Sequence, residues 1–128
     1  MAHRIPYVAT ASVANLRDLE AKVTAAMQID GARYVHIHVP CPLGWGSAPE
    51  DTLKVARMAV ESGLFPLFEA RHGKITSRTP IRRKVPVTEY LKLQKRFAHL
   101  FAGRGEDARV ALIQQVADRN IEEFGLLA

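Results

Sequence analysis

One stretch constrains the fold more than any other: Tyr34-Val35-His36-Ile37-His38-Val39, running into Pro40-Cys41-Pro42-Leu43-Gly44-Trp45-Gly46. Val35, Ile37 and Val39 alternate with Tyr34, His36 and His38, so the two sets point to opposite sides of a strand. We expect a buried β-strand from Arg33 to Val39 that leads directly into a rigid loop punctuated by proline and glycine. The chain's only cysteine and only tryptophan sit in that loop. In parallel α/β sheets functional groups gather just past the C-terminal ends of strands, and Cys41 occupies such a position.

The residues before this stretch supply the rest of a βαβ unit. Ile5 to Thr10 is a short apolar run and a predicted strand. A helix is predicted from about Val13 to Ile29, capped by Ser12 or Asn15 and closed by Asp30-Gly31. Leu16, Leu19, Val23, Ala26 and Met27 form its expected apolar side, with Arg17, Asp18, Glu20 and Lys22 on the wet side. Strand, helix, strand at this spacing implies a parallel pair with a right-handed crossover. A parallel strand this near the start of the chain suggests the rear part of a larger domain.

Downstream, Ser47-Ala48-Pro49-Glu50 reads as a capping box opening a helix to about Ser62, which buries Leu53, Ala56 and Val60 and stops at Gly63. Leu64 to Glu69 is extended, and its Pro66, lacking an amide donor, points to an edge position. Arg71-His72-Gly73-Lys74 predicts a turn, with a return strand from Ile75. Arg78 to Pro86 is a basic, extended linker. Pro86 opens a helix that buries Tyr90, Leu91, Phe97 and Phe101, and Gly103-Arg104-Gly105 breaks it. A last helix spans about Glu106 to Phe124, with Val110, Ile113, Ala117, Ile121 and Phe124 on one stripe.

With 128 residues, 48% of them hydrophobic, the chain is long enough for one domain with its own core. No apolar run reaches the ~20 residues that span a bilayer, and no signal peptide is read at the N-terminus. A single cysteine forms no internal disulfide, which suits a reducing cytoplasm. The formal net charge of +5 is compatible with nucleic acid, an anionic cofactor or an acidic protein, and does not select among them.

Cys41 admits three readings from its neighbours. A lone cysteine is most often a small, inert hydrophobe. A nucleophile needs an adjacent base, and His38 lies three positions away. An iron–sulfur cluster takes four ligands as a rule, so a cluster role requires thiolates from outside this chain. His36 and His38 have a spacing that zinc uses, but lack an evident third ligand; a packed, hydrogen-bonded pair is the preferred reading. Gly44-Trp45-Gly46-Ser47 fits neither the P-loop nor the dinucleotide fingerprint and reads as a tight turn with a capping serine. The basic run Arg78 to Lys84 has no aromatics and no recognition helix, which disfavours nucleic acid.

Several blocks carry a resemblance to a known family. They are Tyr7 to Ser12, Asp30 to His36, Pro40-Cys41-Pro42-Leu43-Gly44-Trp45, Thr52 to Ala56, Gly63 to Glu69 and Pro86 to Phe97. In order and spacing the chain resembles the back part of the β subunit of pyruvate synthase (pyruvate:ferredoxin oxidoreductase), of the 2-oxoacid:ferredoxin oxidoreductase family. The likeness extends to about Phe101. It implies an α/β fold: the rear of a thiamine-diphosphate-binding, Rossmann-like domain with a mostly parallel sheet, an edge strand pair and two C-terminal helices. Residues 1–77 are then the C-terminal part of that domain with the Cys41 loop, and residues 78–128 the basic linker and C-terminal helices.

The resemblance also implies chemistry. Members of the family bind thiamine diphosphate with Mg and hold a proximal [4Fe-4S] cluster, whose fourth cysteine ligand Cys41 matches. Their enzyme converts pyruvate and coenzyme A to acetyl-CoA and CO2, reducing ferredoxin, or runs in reverse. The family's Cys-Pro-x-Cys pair and its Gly-Asp-Gly motif are absent from this sequence. The expectation is therefore a chain inactive alone, partnered by the missing front part of the β subunit and by other subunits, with no membrane and no nucleic-acid role. The rival expectation is a non-enzymatic, basic α/β module that binds an acidic protein or nucleic acid.

Overall fold

The computed structural model describes residues 3–103 and 107–127. Four strands form one sheet in the order β2-β1-β3-β4: β1 is Tyr7–Ser12, β2 Arg33–His38, β3 Phe68–Arg71 and β4 Lys74–Arg78. The expected βαβ unit is present. β1 and β2 run parallel in the register Tyr7↔Arg33 to Ser12↔His38, joined by helix α1, Leu16–Met27. The α/β class holds, but the sheet is mixed, because β3 pairs antiparallel with β1 and with β4. The β3–β4 connection is a two-residue hairpin with positive φ at both His72 (49°) and Gly73 (84°), the backbone that matches strand twist.

Three expectations about position are corrected. Pro66 does not mark an edge: it precedes β3, which lies inside the sheet, and its carbonyl accepts a hydrogen bond from the Thr10 hydroxyl at 2.6 Å. β2 is not buried; it is an outer strand, and Tyr34, Ile37 and, just beyond it, Val39 are exposed. On α1, Leu16 and Met27 are 66% and 67% exposed and Val23 is also exposed, while Lys22 is 3% exposed. Lys22 is buried because its ammonium is satisfied, donating to the Thr10 carbonyl at 2.9 Å and to Asp18 at 2.7 Å. Thr79 donates to the other Asp18 oxygen at 2.8 Å, so one carboxylate links α1 to the segment after β4.

One sheet face packs Tyr7 and Ala9 against Ala26 of α1, and the other packs Val8, Phe68 and Ala70 near Phe124. The larger core lies among the later helices: α3 (Thr52–Glu61), α4 (Val87–Lys92) and α5 (Ala108–Phe124). Val55, Val87, Leu91 and Val110 meet there. Leu53, expected inside, is exposed, and Val55, Met58 and Ala59 take the core side of α3 instead. The first C-terminal helix divides into α4 and a 3-10 stretch over Lys95–Phe101. The break expected at Gly103-Arg104-Gly105 and the helix start at Glu106 fall partly outside the described residues; α5 begins at Ala108, with Asp107 accepting from the Arg109 amide at 2.8 Å.

The basic stretch from Arg78 packs against the helices. Ile81 and Val85 are buried. Arg78 donates to the Phe124 carbonyl at 2.7 Å, and Lys84 pairs with Asp118 at 2.8 Å.

Candidate functional site

The loop after β2 turns sharply because proline and glycine leave it few alternatives. Cys41 stands at the start of a one-turn helix, α2, Pro42–Trp45, and its carbonyl accepts from the Trp45 amide at 3.0 Å. Pro42 suits the first helical position, where a missing amide costs nothing. Gly46 ends the turn with φ 67°, and a Cβ there would meet Lys95 Cβ at 2.7 Å. Only glycine combines that backbone with so close an approach. The Gly46 carbonyl in turn accepts from the Lys95 amide at 3.2 Å, fastening the loop to the 3-10 stretch. Ser47 does not cap the next helix: its buried hydroxyl has no hydrogen-bond partner, and the chain passes through a 3-10 turn, Pro49–Asp51, before α3.

This framework leaves the Cys41 thiol exposed, which removes the reading of Cys41 as a buried packing residue. Its sulfur lies over Gly44, at 3.6 Å from where a Cβ would stand. Behind the loop is a stack of flat groups. The Arg96 guanidinium sits 3.9 Å above the centre of the Trp45 ring, and the His38 ring lies 5.7 Å from Trp45 and 4.9 Å from Phe65. Arg96 is aimed by its Nε donating to Gln94 Oε1 at 3.0 Å. Gln94, 1% exposed, is itself fixed by donating to the Tyr90 carbonyl at 2.8 Å. A cation over an indole face is an attractive contact of about 1 kcal/mol at a partly exposed site.

The stack sets the ionisation of His38. Burial, then the neighbouring His36 and Arg96, push its pKa down to about 4, so the ring is neutral near pH 7. Its Nδ1 is buried without a hydrogen-bond partner, so neither a hydrogen-bonded histidine pair nor an Nδ1 contact to the Cys41 thiol is present. His36 packs edge-on against Phe65 at 5.2 Å. Among the described residues no group of three or more His, Cys, Asp or Glu side chains gathers as a metal site. The residues present therefore fit one bond to a cluster, through one accessible thiol, and not a complete ligand set.

Sequence reasoning placed Cys41 and Trp45 correctly in the loop after β2 and missed Arg96 and Gln94. Those two approach from about fifty positions away, and no local pattern signals the contact. No helix among the described residues is long and apolar enough to cross a membrane.

No protein-family model matches the chain. Curated proteins do, and they are named as subunits of pyruvate synthase and of ketoisovalerate oxidoreductase. Those matching 43–45% of its residues, over 98% of its length, are named pyruvate synthase subunit PorB. One, from Methanosarcina barkeri, is 45% identical over 125 residues, which are 98% of this chain and 42% of that protein. Another, from Methanocaldococcus jannaschii, is 43% identical over 127 residues, 98% of this chain and 40% of that protein. A ketoisovalerate oxidoreductase subunit VorB from Pyrococcus abyssi is 43% identical over 102 residues, 78% of this chain and 33% of that protein. The chain spans about two fifths of the length of the PorB proteins it matches.

Proposed function

We propose that the chain is part of the β subunit of a cytoplasmic pyruvate:ferredoxin oxidoreductase, and that Cys41 supplies one thiolate ligand to the proximal [4Fe-4S] cluster. The observation that carries the reading is the exposed thiol at the C-terminal end of a parallel strand, on a loop whose backbone is fixed by Pro42, Gly46 and Lys95. Homology to PorB along nearly the whole chain supports it. When bound, the cluster supplies a one-electron carrier.

The chain's own residues have three tasks in this account. Cys41 presents its sulfur to the outside, where the remaining thiolates arrive from polypeptide beyond this chain. Trp45, held between Arg96 and His38, covers the inner side of the loop and excludes water from it. Neutral His38 adds no positive charge beneath the loop at pH 7, which leaves Arg96 as the cation packed there. Pyruvate, coenzyme A, ferredoxin, thiamine diphosphate and Mg belong to the assembled enzyme; the diphosphate-binding motif is not in this sequence. Residues 1–77 take the domain role and residues 78–128 brace it, and the chain alone is inactive.

The basic-module alternative gains little from the fold. Arg78 and Lys84 are engaged internally, and Arg83 lies 3.8 Å from Glu61. The test is Cys41→Ser in the assembled enzyme. Iron content, the cluster's electron paramagnetic resonance signal and ferredoxin reduction are expected to fall together. An unchanged cluster spectrum with full iron content would sink the assignment.

A further inference from the structure

A surface arginine ordinarily samples many rotamers. Arg96 is held at three points. Its guanidinium lies 3.9 Å from the centre of the Trp45 ring and 4.7 Å from the centre of the Phe97 ring, and its Nε donates to Gln94 Oε1 at 3.0 Å. Gln94 is buried and anchored to the Tyr90 carbonyl of α4. The residue between them, Lys95, donates its amide to the Gly46 carbonyl, so the same short stretch grips the loop by backbone and by side chain. Among the described residues no carboxylate pairs with Arg96. Trp45 and Cys41 are one turn apart, and the Trp45 amide donates to the Cys41 carbonyl. A clamp on the Trp45 ring therefore fixes the backbone that carries the thiol. Lys92, a cation of the same region, lies over a different ring, that of Phe101, at 5.2 Å.

We infer that Arg96 is a positioning residue that sets the Cys41 loop through Trp45, and that its fixed charge raises the reduction potential of a cluster bound at Cys41. The inference deepens the reading of Cys41 as a cluster ligand and rests on it. A fixed cation close by stabilises the negative charge that one-electron reduction adds, and local charge is one of the levers that set a cluster's potential. Arg96 is exposed, so water screens its charge and the shift is modest.

The test uses the Methanosarcina barkeri PorB polypeptide with its matching stretch replaced by this chain, in the assembled enzyme. The cluster signal that Cys41→Ser abolishes is titrated against ambient potential. Arg96→Gln should lower its reduced-to-oxidised ratio at least about threefold at a fixed potential, or about 30 mV. Arg96→Lys keeps the charge and loses the planar stack, and Lys92→Gln removes a charge from another ring; each should change the ratio less than about 1.5-fold. In the iron-free chimaera, exchange of the Trp45 and Gly46 amides should quicken at least about threefold in both Arg96 variants, while α5 amides stay as they are. An unchanged potential in Arg96→Gln, an equal fall in Lys92→Gln, or unchanged loop exchange overturns the inference. Iron lost from Arg96→Gln and kept in Arg96→Lys supports it; iron lost from both makes Arg96 structural only and overturns it. Iron that stays when Cys41 is replaced by serine defeats the cluster reading, whereas a potential that ignores Arg96 in an enzyme whose iron needs Cys41 defeats this inference alone.

Discussion

The two edges of the sheet share exposure and differ in chemistry. Every residue of β4 is exposed and most of β2 is too, so accessibility alone does not separate them. Composition does. β4 ends in Lys74 and Arg78 and loses little by facing water, whereas β2 turns Tyr34 and Ile37 outward and continues to Val39, Cys41 and Leu43. A strand that exposes apolar side chains and free backbone groups is unfinished in a way that a polar edge is not.

The largest effect is expected from the anchor that ties α1 to β1 and to the segment after β4. Asp18→Ala removes the carboxylate facing the buried Lys22 ammonium and the acceptor of Thr79, and leaves a cation inside with only the Thr10 carbonyl. The expected cost is about 3 kcal/mol in urea unfolding, because breaking a buried pair strands the remaining charge. Exchange in α1 and β2 should rise before exchange in the β3–β4 hairpin. A loss below about 0.5 kcal/mol would mean that Lys22 reaches water by a small rearrangement.

Next comes Leu91→Ala in the helical core, where the side chain is 1% exposed, set against Tyr34→Ala on the open edge. The first should cost about 2–3 kcal/mol and the second under about 1 kcal/mol in the isolated chain. Comparable costs would show that the β2 face is already covered, in solution, by something other than water.

Arg96→Ala is smaller, about 1 kcal/mol, from the lost cation–π contact and the freed Gln94 oxygen. Trp45 is the only tryptophan, so its emission reports the change directly and should shift to the red. Arg96→Lys restores the charge but not the planar stack, and should recover only part of the shift.

A further effect is with pH. His38 has its pKa lowered from 6.5 to about 4, so the folded state favours the neutral ring. Between these values the unfolded chain binds more protons than the folded one, and stability rises with pH. The contribution is complete above about 6.5 and disappears as pH falls through about 4. His38→Phe should flatten that part of the melting-temperature profile; an unchanged slope would assign it to other groups.

Much of this architecture was legible in residue order. The alternation from Tyr34 to Val39 located β2, the spacing to Ile5–Thr10 gave the parallel βαβ unit, and His72-Gly73 marked the hairpin. What the sequence did not reveal was which surface covers which. The α1 stripe of Leu16, Val23 and Met27 reads as a core face by period, yet Lys22 lies inside, because the Thr10 carbonyl of β1 and the Asp18 carboxylate one turn back on α1 satisfy it. Periodicity reports that a stripe is apolar, not what lies opposite. Pro66 likewise signalled an edge, but it ended just before β3 and gave up only a terminal position. For the site, the loop and its thiol were visible in Pro40-Cys41-Pro42; the Arg96–Trp45–His38 stack depends on a long-range contact with no local signature.

The most direct measurement is the reactivity of Cys41, the chain's only cysteine, towards iodoacetamide, read by mass spectrometry. In the isolated chain the exposed thiol should alkylate readily. In the chimaeric subunit assembled with its iron, alkylation should fall by about tenfold or more, and chelating the iron should restore it. A Cys41 that alkylates equally fast in both proteins, with iron fully retained, would contradict the account.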